Sequence, residues 1–314
     1  MQFATTGLTI FLISITVGYL VSRTFLKPVG ELADGITAIQ KRNFRHKVMV
    51  IDEDELGVLS SAFNEMLEGL SDLEIAKTIQ ETLFPQEPLE AGHWEVYGSC
   101  VPASQVGGDY FDYFRAGENR IVIVIGDVAG HGVSAALIMA MAKAVIAHPG
   151  NELSPVRLLE NLHAVLLPVM KRRKVMTCFV GILDTESNRF SGTNAGHSFP
   201  LLARGKKAEF LELRGKPLGT KLFCPSAQTS IEIEKDDCLI LYTDGLVEAK
   251  NSSGEMIGYE NFRAALPELI ENCAVETEAR IRRWHADFSP LKVPEDDISL
   301  VVVQSSITRI QSKC

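Results

Sequence analysis

Apolar residues fill the start of the chain without a break. Met1 to Ser22 carry no charged side chain, and GLTIFLISITVGYLVS is apolar enough to cross a hydrocarbon core once Phe3 and Ala4 are counted with it. The pattern predicts a transmembrane helix over residues 1–25. A secretory signal would show basic residues ahead of its apolar run and a small-residue cleavage site, yet no Lys or Arg precedes Gly7. Arg23, Lys27, Lys41, Arg42 and Arg45 all follow the span, which by the positive-inside rule places the remainder in the cytoplasm. A buried core helix is the competing reading, because Thr and Ser make the segment only moderately greasy.

The period then becomes helical. VGELADGITAI has apolar residues at Val29, Leu32, Ile36 and Ile39, with Pro28 where a new helix can start. An extended basic stretch, RNFRHKVMV, separates it from a second run with Leu56, Leu59, Phe63, Met66, Leu67 and Leu70. Helices this short do not each bury a stripe alone, so self-association into a parallel four-helix bundle is expected. Pro28, Asp54-Glu55-Leu56 and AFNEM at Ala62–Met66 resemble a HAMP linker, assigned to residues 26–70. A helical connector is expected over residues 71–92. Its period, through Leu73, Ala76, Ile79 and Leu83, slips from heptad register, a slip able to unwind a coiled coil locally, and Pro85 with Pro88 ends it.

From Trp94 the pattern changes to short β-rich runs between Gly, Asn and Pro. YFDYFRA and NRIVIVIGD flank a GEN turn and read as a hairpin. With the turn centred on Glu118, Asp109 lies nine residues before it and Asp127 nine after, so the two carboxylates face each other across an antiparallel ladder. Like charges placed opposite destabilise a sheet, and a divalent cation would offset that repulsion. Asp112 should point to the other face and ranks well below Asp109 as a ligand. Downstream, Asp244 follows the apolar run Leu239–Leu241, and Asp296 and Asp297 precede the run Ile298–Val303. Any one Asp there is commonly a turn or cap residue. Four acidic strand ends beside glycines, brought to one edge, would make an oxygen-rich site suited to Mg²⁺ or Mn²⁺.

Composition narrows the field. With 314 residues and 46% hydrophobic content the chain can bury a sizeable core and fits about two domains. The balance of 31 basic to 40 acidic residues, net charge -9, gives no reason to expect nucleic-acid binding. The cysteines, six in number, show no CxxC pair, so neither a zinc site nor a disulfide framework is indicated.

The Gly-Gly-Asp of SQVGGDYFDYF leaves two chemistries in play, a GGDEF-type diguanylate cyclase and a metal-dependent phosphatase. A cyclase loop should carry an acidic residue after the Asp, where this chain has Tyr110, and it leaves Asp244 and Asp296 unexplained. VGGDYFD (Val106–Asp112), GDVAGHG (Gly126–Gly132), NAGH (Asn194–His197), GKPLG (Gly215–Gly219), TDGLVEA (Thr243–Ala249) and DDIS (Asp296–Ser299) resemble, in order, the motifs of the SpoIIE-type branch of the PPM serine/threonine phosphatases. The resemblance implies an α+β fold, an αββα two-sheet antiparallel β-sandwich, over residues 93–305, with a binuclear Mn²⁺ or Mg²⁺ centre at one end. By motif, Asp127, Asp244 and Asp296 would be direct ligands, Asp109 a direct or water-mediated one, and the Val128 carbonyl a further oxygen. Gly108 and Asp297 would support them.

A metal-activated water needs no phosphoenzyme, and no motif marks a covalent nucleophile. His131 follows the metal-binding strand by one turn, and two readings stand side by side, protonation of the leaving serine or threonine oxygen and a structural role beside two turn glycines. Asn194 and His197 carry the same ambiguity between site and turn. The eukaryotic type-2C relatives hold the substrate phosphate with an arginine; none is evident before Gly107, as is usual in the SpoIIE-type branch, so phosphate binding is expected to lean on the metals and on docking of the substrate protein. The resemblance further implies a phosphorylated protein substrate, of the kind represented by STAS-type anti-sigma-factor antagonists. The expected location is the bacterial inner membrane, single-pass, with a homodimer formed through HAMP. With six residues ahead of the apolar run and no room there for an extracellular sensor, the input is expected within the membrane, from a partner, or from sequence outside these 314 residues. The rival is a catalytically inactive module that sequesters a partner.

Overall fold

With apolar side chains on every side and none of the described ones buried, the N-terminal run forms α1 (Gln2–Val21). A helix apolar all round needs an apolar medium or a partner. The computed structural model describes residues 2–148, 153–170, 174–290 and 293–305. The sequence pattern predicts a fresh helix at Pro28; instead the helical backbone continues from α1 through a π-helical turn, Ser22–Leu26, into α2 (Lys27–Gln40). Pro28 has no N–H to donate back to Thr24, and the wide turn falls where that bond is missing. Cys314 lies outside the described residues, and the other five cysteines are all free.

The chain divides into two units, Met1–Ile75 and Ala76–Cys314. In the first, the extended basic stretch is fastened by Asn64, whose amide donates to the Val48 carbonyl (2.8 Å) and accepts from the Val48 N–H (2.8 Å). Asp54 Oδ1 caps α3 (Glu55–Leu83) by accepting from the N–H groups of Leu56 and Gly57 at 3.1 and 2.9 Å. The slip in heptad register does not interrupt α3, which runs for 29 residues and stops just ahead of Pro85. The helical connector is therefore shorter than the 71–92 expected: Leu89–Ala91 form a strand of the second unit.

Among the described residues of that unit, strands build two antiparallel sheets. In chain order they are β1 (Leu89–Ala91), β2 (Trp94–Val101), β3 (Asp109–Arg115), β4 (Arg120–Val128), β5 (Met176–Asp184), β6 (Arg189–Ala195), β7 (Leu201–Arg204), β8 (Lys207–Phe210), β9 (Thr229–Glu232), β10 (Cys238–Tyr242) and β11 (Ile298–Ser305). One sheet runs β1-β2-β11-β10-β7-β8 and the other β3-β4-β5-β6-β9. Phe111, Ile123, Ile125 and Phe179 of one meet Val96, Leu241, Val301 and Val303 of the other in the inter-sheet core. The outer face of the β3–β9 sheet is covered by α4 (Val133–Ile146) and α5 (Pro155–Met170). The outer face of the second sheet is covered by the short α6 (Asp244–Glu248), α7 (Tyr259–Leu269) and α8 (Ala274–Phe288). Strand β4, interior to its sheet, is buried on both faces, which is why it reads as a continuous Ile/Val run and not as an alternation.

Candidate metal centre

Strand register brings the first two carboxylates together. Asp109 opens β3 and pairs directly with Asp127 near the end of β4. Odd-numbered residues of both strands face the inter-sheet core, so the two aspartates share the inward face at one end of the sandwich. Asp112 has the opposite parity. Its buried carboxylate accepts from the Tyr110 hydroxyl (3.1 Å) and the Tyr113 N–H (3.0 Å), and pairs with Lys143 Nζ of α4 (2.9 Å), well removed in role from the acidic pair.

The remaining acidic residues arrive from the other sheet. Thr243 follows β10 and Ser299 lies in β11; they are paired by Thr243 N–H to the Ser299 carbonyl (3.1 Å) and Ser299 N–H to Thr243 Oγ1 (2.9 Å). Thr243 Oγ1 in turn donates to Asp109 Oδ2 at 2.7 Å, tying the sheets together at this end. Asp244 begins α6 immediately after, and the α-carbon of Gly245 packs directly on the backbone of Asp296–Asp297. The Asp297 carboxylate turns back to accept from the N–H groups of Ala103 (2.7 Å) and Gly108, and weakly from Asp109 (3.4 Å). It organises the Gly-Gly-Asp loop. Gly108 has no space for a side chain: a Cβ would stand 2.5 Å from the Val128 carbonyl oxygen, 2.7 Å from that of Gly130 and 3.1 Å from Asp127 Oδ1.

Electrostatics report the same convergence. Burial, then the charge of Asp127, holds the Asp109 carboxyl well above the usual carboxylate range. Asp127 is pushed up to about 7 by burial first and then by the charges of Asp244, Asp296 and Asp297. Asp296 is raised by burial and by Asp244 and Asp297. These carboxylates therefore feel one another, although among the described residues no three His, Cys, Asp or Glu side chains converge tightly enough to hold one ion. The two observations differ because charge coupling reaches further than ligation. Among the described residues the group is an electrostatic cluster and not a closed coordination shell. Its donors are all oxygens, carboxylates and the Val128 carbonyl, which fits Mg²⁺ or Mn²⁺ and not a thiophilic metal.

Two histidines divide differently. His131 stands exposed on the loop that follows β4. His197 is buried: its N–H donates to Asn194 Oδ1 (2.7 Å), Asn194 Nδ2 donates to the His197 carbonyl (2.9 Å), and Nδ1 contacts Thr177 Oγ1 (2.9 Å). Asn194 is thus the clamp of a tight turn. Burial drives the His197 imidazole down to about 4, so the ring is neutral at pH 7. His197 lines a cavity of about 280 Å³ together with Thr177, Ser198, Asp244 and Tyr259, while its Nε2 is itself buried. A larger cavity, about 680 Å³, opens beside Asp296 and Gly245 and is lined by Val101, Met256 and Ile298 among others.

Sequence reasoning missed Thr243 and Gln80. Thr243 precedes Asp244 in TDG, and only the meeting of the sheets gives its hydroxyl a task. Gln80 of α3, 5% exposed, donates Nε2–H to the Gly107 carbonyl (3.0 Å) and accepts the Gly107 N–H on Oε1 (3.1 Å). Lys143 donates to the Leu83 carbonyl (2.6 Å) as well as to Asp112.

A two-sheet antiparallel sandwich flanked by helices is the PP2C-type fold. The fold matches the SiaA-PP2C domain of Pseudomonas aeruginosa at a TM-score of 0.67 and 20% identity, covering 76% of this chain and 98% of that one. Residues 117–306 match the family model for Stage II sporulation protein E (SpoIIE), and the chain belongs to that family. Residues 20–72 match the HAMP domain. Phosphoserine phosphatase RsbU of Bacillus subtilis is 29% identical over 244 residues, 76% of this chain and 71% of that protein. Protein IcfG of Synechocystis is 26% identical over 88% of this chain, which spans about half the length of that relative, 51%. The RsbU and RsbW domains of a Mycobacterium tuberculosis protein match at a TM-score of 0.59 and 26% identity, over 68% of this chain and 61% of that one. The reading of a SpoIIE-type serine/threonine protein phosphatase joined to a HAMP domain is the one these matches support, and the sequestering module and the cyclase are not.

Proposed function

We propose that the chain is a membrane-anchored phosphatase that removes phosphate from serine or threonine of a partner protein, with two Mn²⁺ or Mg²⁺ ions held by Asp127, Asp244 and Asp296, by Asp109 directly or through water, and by the Val128 carbonyl. One observation carries it: Asp109 and Asp127 face each other in register while Asp244 and Asp296 press on Asp127 electrostatically. When bound, the ions would supply an acidified water and neutralise charge on the phosphoryl oxygens. The protein's own residues do the rest. Asp297 and Gly108 shape the loop that presents Asp109 and the Val128 carbonyl. His131, exposed on the adjacent loop, would give a proton to the departing hydroxyl oxygen. His197, neutral and held by Asn194 and Thr177, fixes the wall of the small cavity beside Asp244.

The apolar helix reaching from Thr5 to Gln40, with mean hydropathy 1.6 in its most apolar window and none of that window buried, supports a membrane anchor at the inner membrane with the catalytic unit in the cytoplasm. The HAMP match supports a homodimer built through residues 26–70. A STAS-type antagonist is the proposed substrate, on the strength of the likeness to a phosphatase named RsbU. Regulation would run through α3, since Gln80 near its end grips the Gly107 backbone next to the cluster. The test is manganese-dependent phosphate release from a phosphorylated STAS-type protein. Asp127→Ala and Asp244→Ala should each abolish release, and retention of the wild-type rate by either would overturn the site. Insertions near Ala76 should change the rate of the full chain, and an unchanged rate would count against the relay.

A further inference from the structure

The GKPLG motif and the start of β5 have no part in the site as described so far, and together they place a cation at its rim. Met176 pairs with Leu218, and the α-carbon of Gly219 lies against the Lys174 carbonyl, where a Cβ would be 3.0 Å away. The same segment is fastened on its other side by the Ala129 N–H, which donates to the Val175 carbonyl at 2.9 Å. Lys174 is thereby held between GKPLG and the loop that follows Asp127. Its Nζ comes to rest over the bare α-carbon of Gly130, 3.6 Å from where a Cβ would be. The Gly130 carbonyl is one of the atoms packed against Gly108 together with Asp127 Oδ1 and the Val128 carbonyl. Gly130 has a φ of +89°, a conformation that favours glycine, so no side chain screens the amine from the loop. Among the described residues no ion pair or hydrogen bond occupies Lys174 Nζ.

An unengaged ammonium on the loop that follows Asp127, on a backbone held from both sides, fits an incoming dianion. We propose that Lys174 binds a phosphoryl oxygen of the substrate at the rim of the centre. It is a point charge and not a fork, so it steadies one oxygen without dictating the ester's orientation. This inference rests on the phosphatase reading.

The experiment measures inhibition of the manganese-loaded full chain by inorganic phosphate, with Mn²⁺ affinity measured separately by calorimetry. Lys174→Met should raise the inhibition constant and the KM about tenfold, or roughly 1.4 kcal/mol. Lys174→Glu should raise both further. Lys174→Arg should restore most of the affinity, and Mn²⁺ binding should stay within about twofold in all three. An unchanged phosphate inhibition constant in the Met and Glu variants overturns the role of Lys174 alone. Equal weakening of Mn²⁺ binding by the Met and Arg variants also overturns it, by making the residue structural. Absence of manganese-dependent hydrolysis in the wild type overturns the reading underneath.

Discussion

Thr243 Oγ1 donates to Asp109 Oδ2 at 2.7 Å, joining the first residue of β3 to the residue that follows β10 of the other sheet, 134 positions apart. The same hydroxyl accepts the Ser299 N–H at 2.9 Å, which leaves its one proton directed at the carboxylate. Asp109 is thereby oriented by a group that is itself locked into the backbone of β11. Thr243→Val keeps the shape and removes the donor. It should weaken Mn²⁺ binding about tenfold, within the range for residues that orient metal ligands, and Thr243→Ser should recover it. Calorimetric titration of the metal reads this out, and an unaltered affinity in the valine variant would show that Asp109 needs no such orientation.

Asp109 and Asp127 repel each other when no cation lies between them, and burial raises the cost. Asp109→Asn should therefore stabilise the protein in chelator, raising Tm by about 2–4 °C for each ~1 kcal/mol gained. The same variant should gain less from added Mn²⁺ than the wild type. Differential scanning calorimetry with and without the metal decides it, and a lower Tm in chelator would contradict the repulsion.

Gln80 satisfies both polar groups of the buried Gly107 peptide. Gln80→Ala orphans them, and each unpaired group costs about 1–3 kcal/mol. Denaturant unfolding of the catalytic unit should show an unfolding free energy lower by that order, read as a lower midpoint at an unchanged slope. A midpoint equal to wild type would mean the Gly107 peptide finds other partners.

His197 lies at about 4 in the folded protein against an ordinary value near 6.5. Between those values the unfolded chain binds a proton that the folded one refuses, so stability rises with pH across the window. Read downward, stability present above pH 6.5 is lost as pH falls toward 4. His197→Gln should flatten this part of the profile. The difference between the two proteins isolates the residue from Asp127, whose raised value acts in the opposite direction. Parallel profiles for wild type and variant would reject the assignment.

Much of the hairpin was legible in advance. Counting outward from Glu118 places Asp109 opposite Asp127, and the structure pairs them so, because an antiparallel ladder is fixed once its turn is fixed. Asp112 fell on the other face by parity alone. The end of α3 ahead of Pro85 was equally readable, whereas its uninterrupted course was not: a heptad slip disturbs packing between helices without breaking the hydrogen bonds inside one. The continuation of helix into α2 depended on a π-helical turn that no periodicity announces.

By itself the sequence determined the elements and the chemistry of their ends: an apolar span, helical repeats, β-runs that terminate in aspartate, and ordered motifs that declare a family. Those follow from local propensity and side-chain period, which each segment carries with it. The tertiary structure alone decided which distant groups meet, namely Thr243 on Asp109, Asp297 on the Gly-Gly loop, Gln80 on Gly107 and Lys174 over Gly130. These contacts arise where two sheets close over a common core, and nothing in a linear pattern encodes which strand ends that closure will bring side by side.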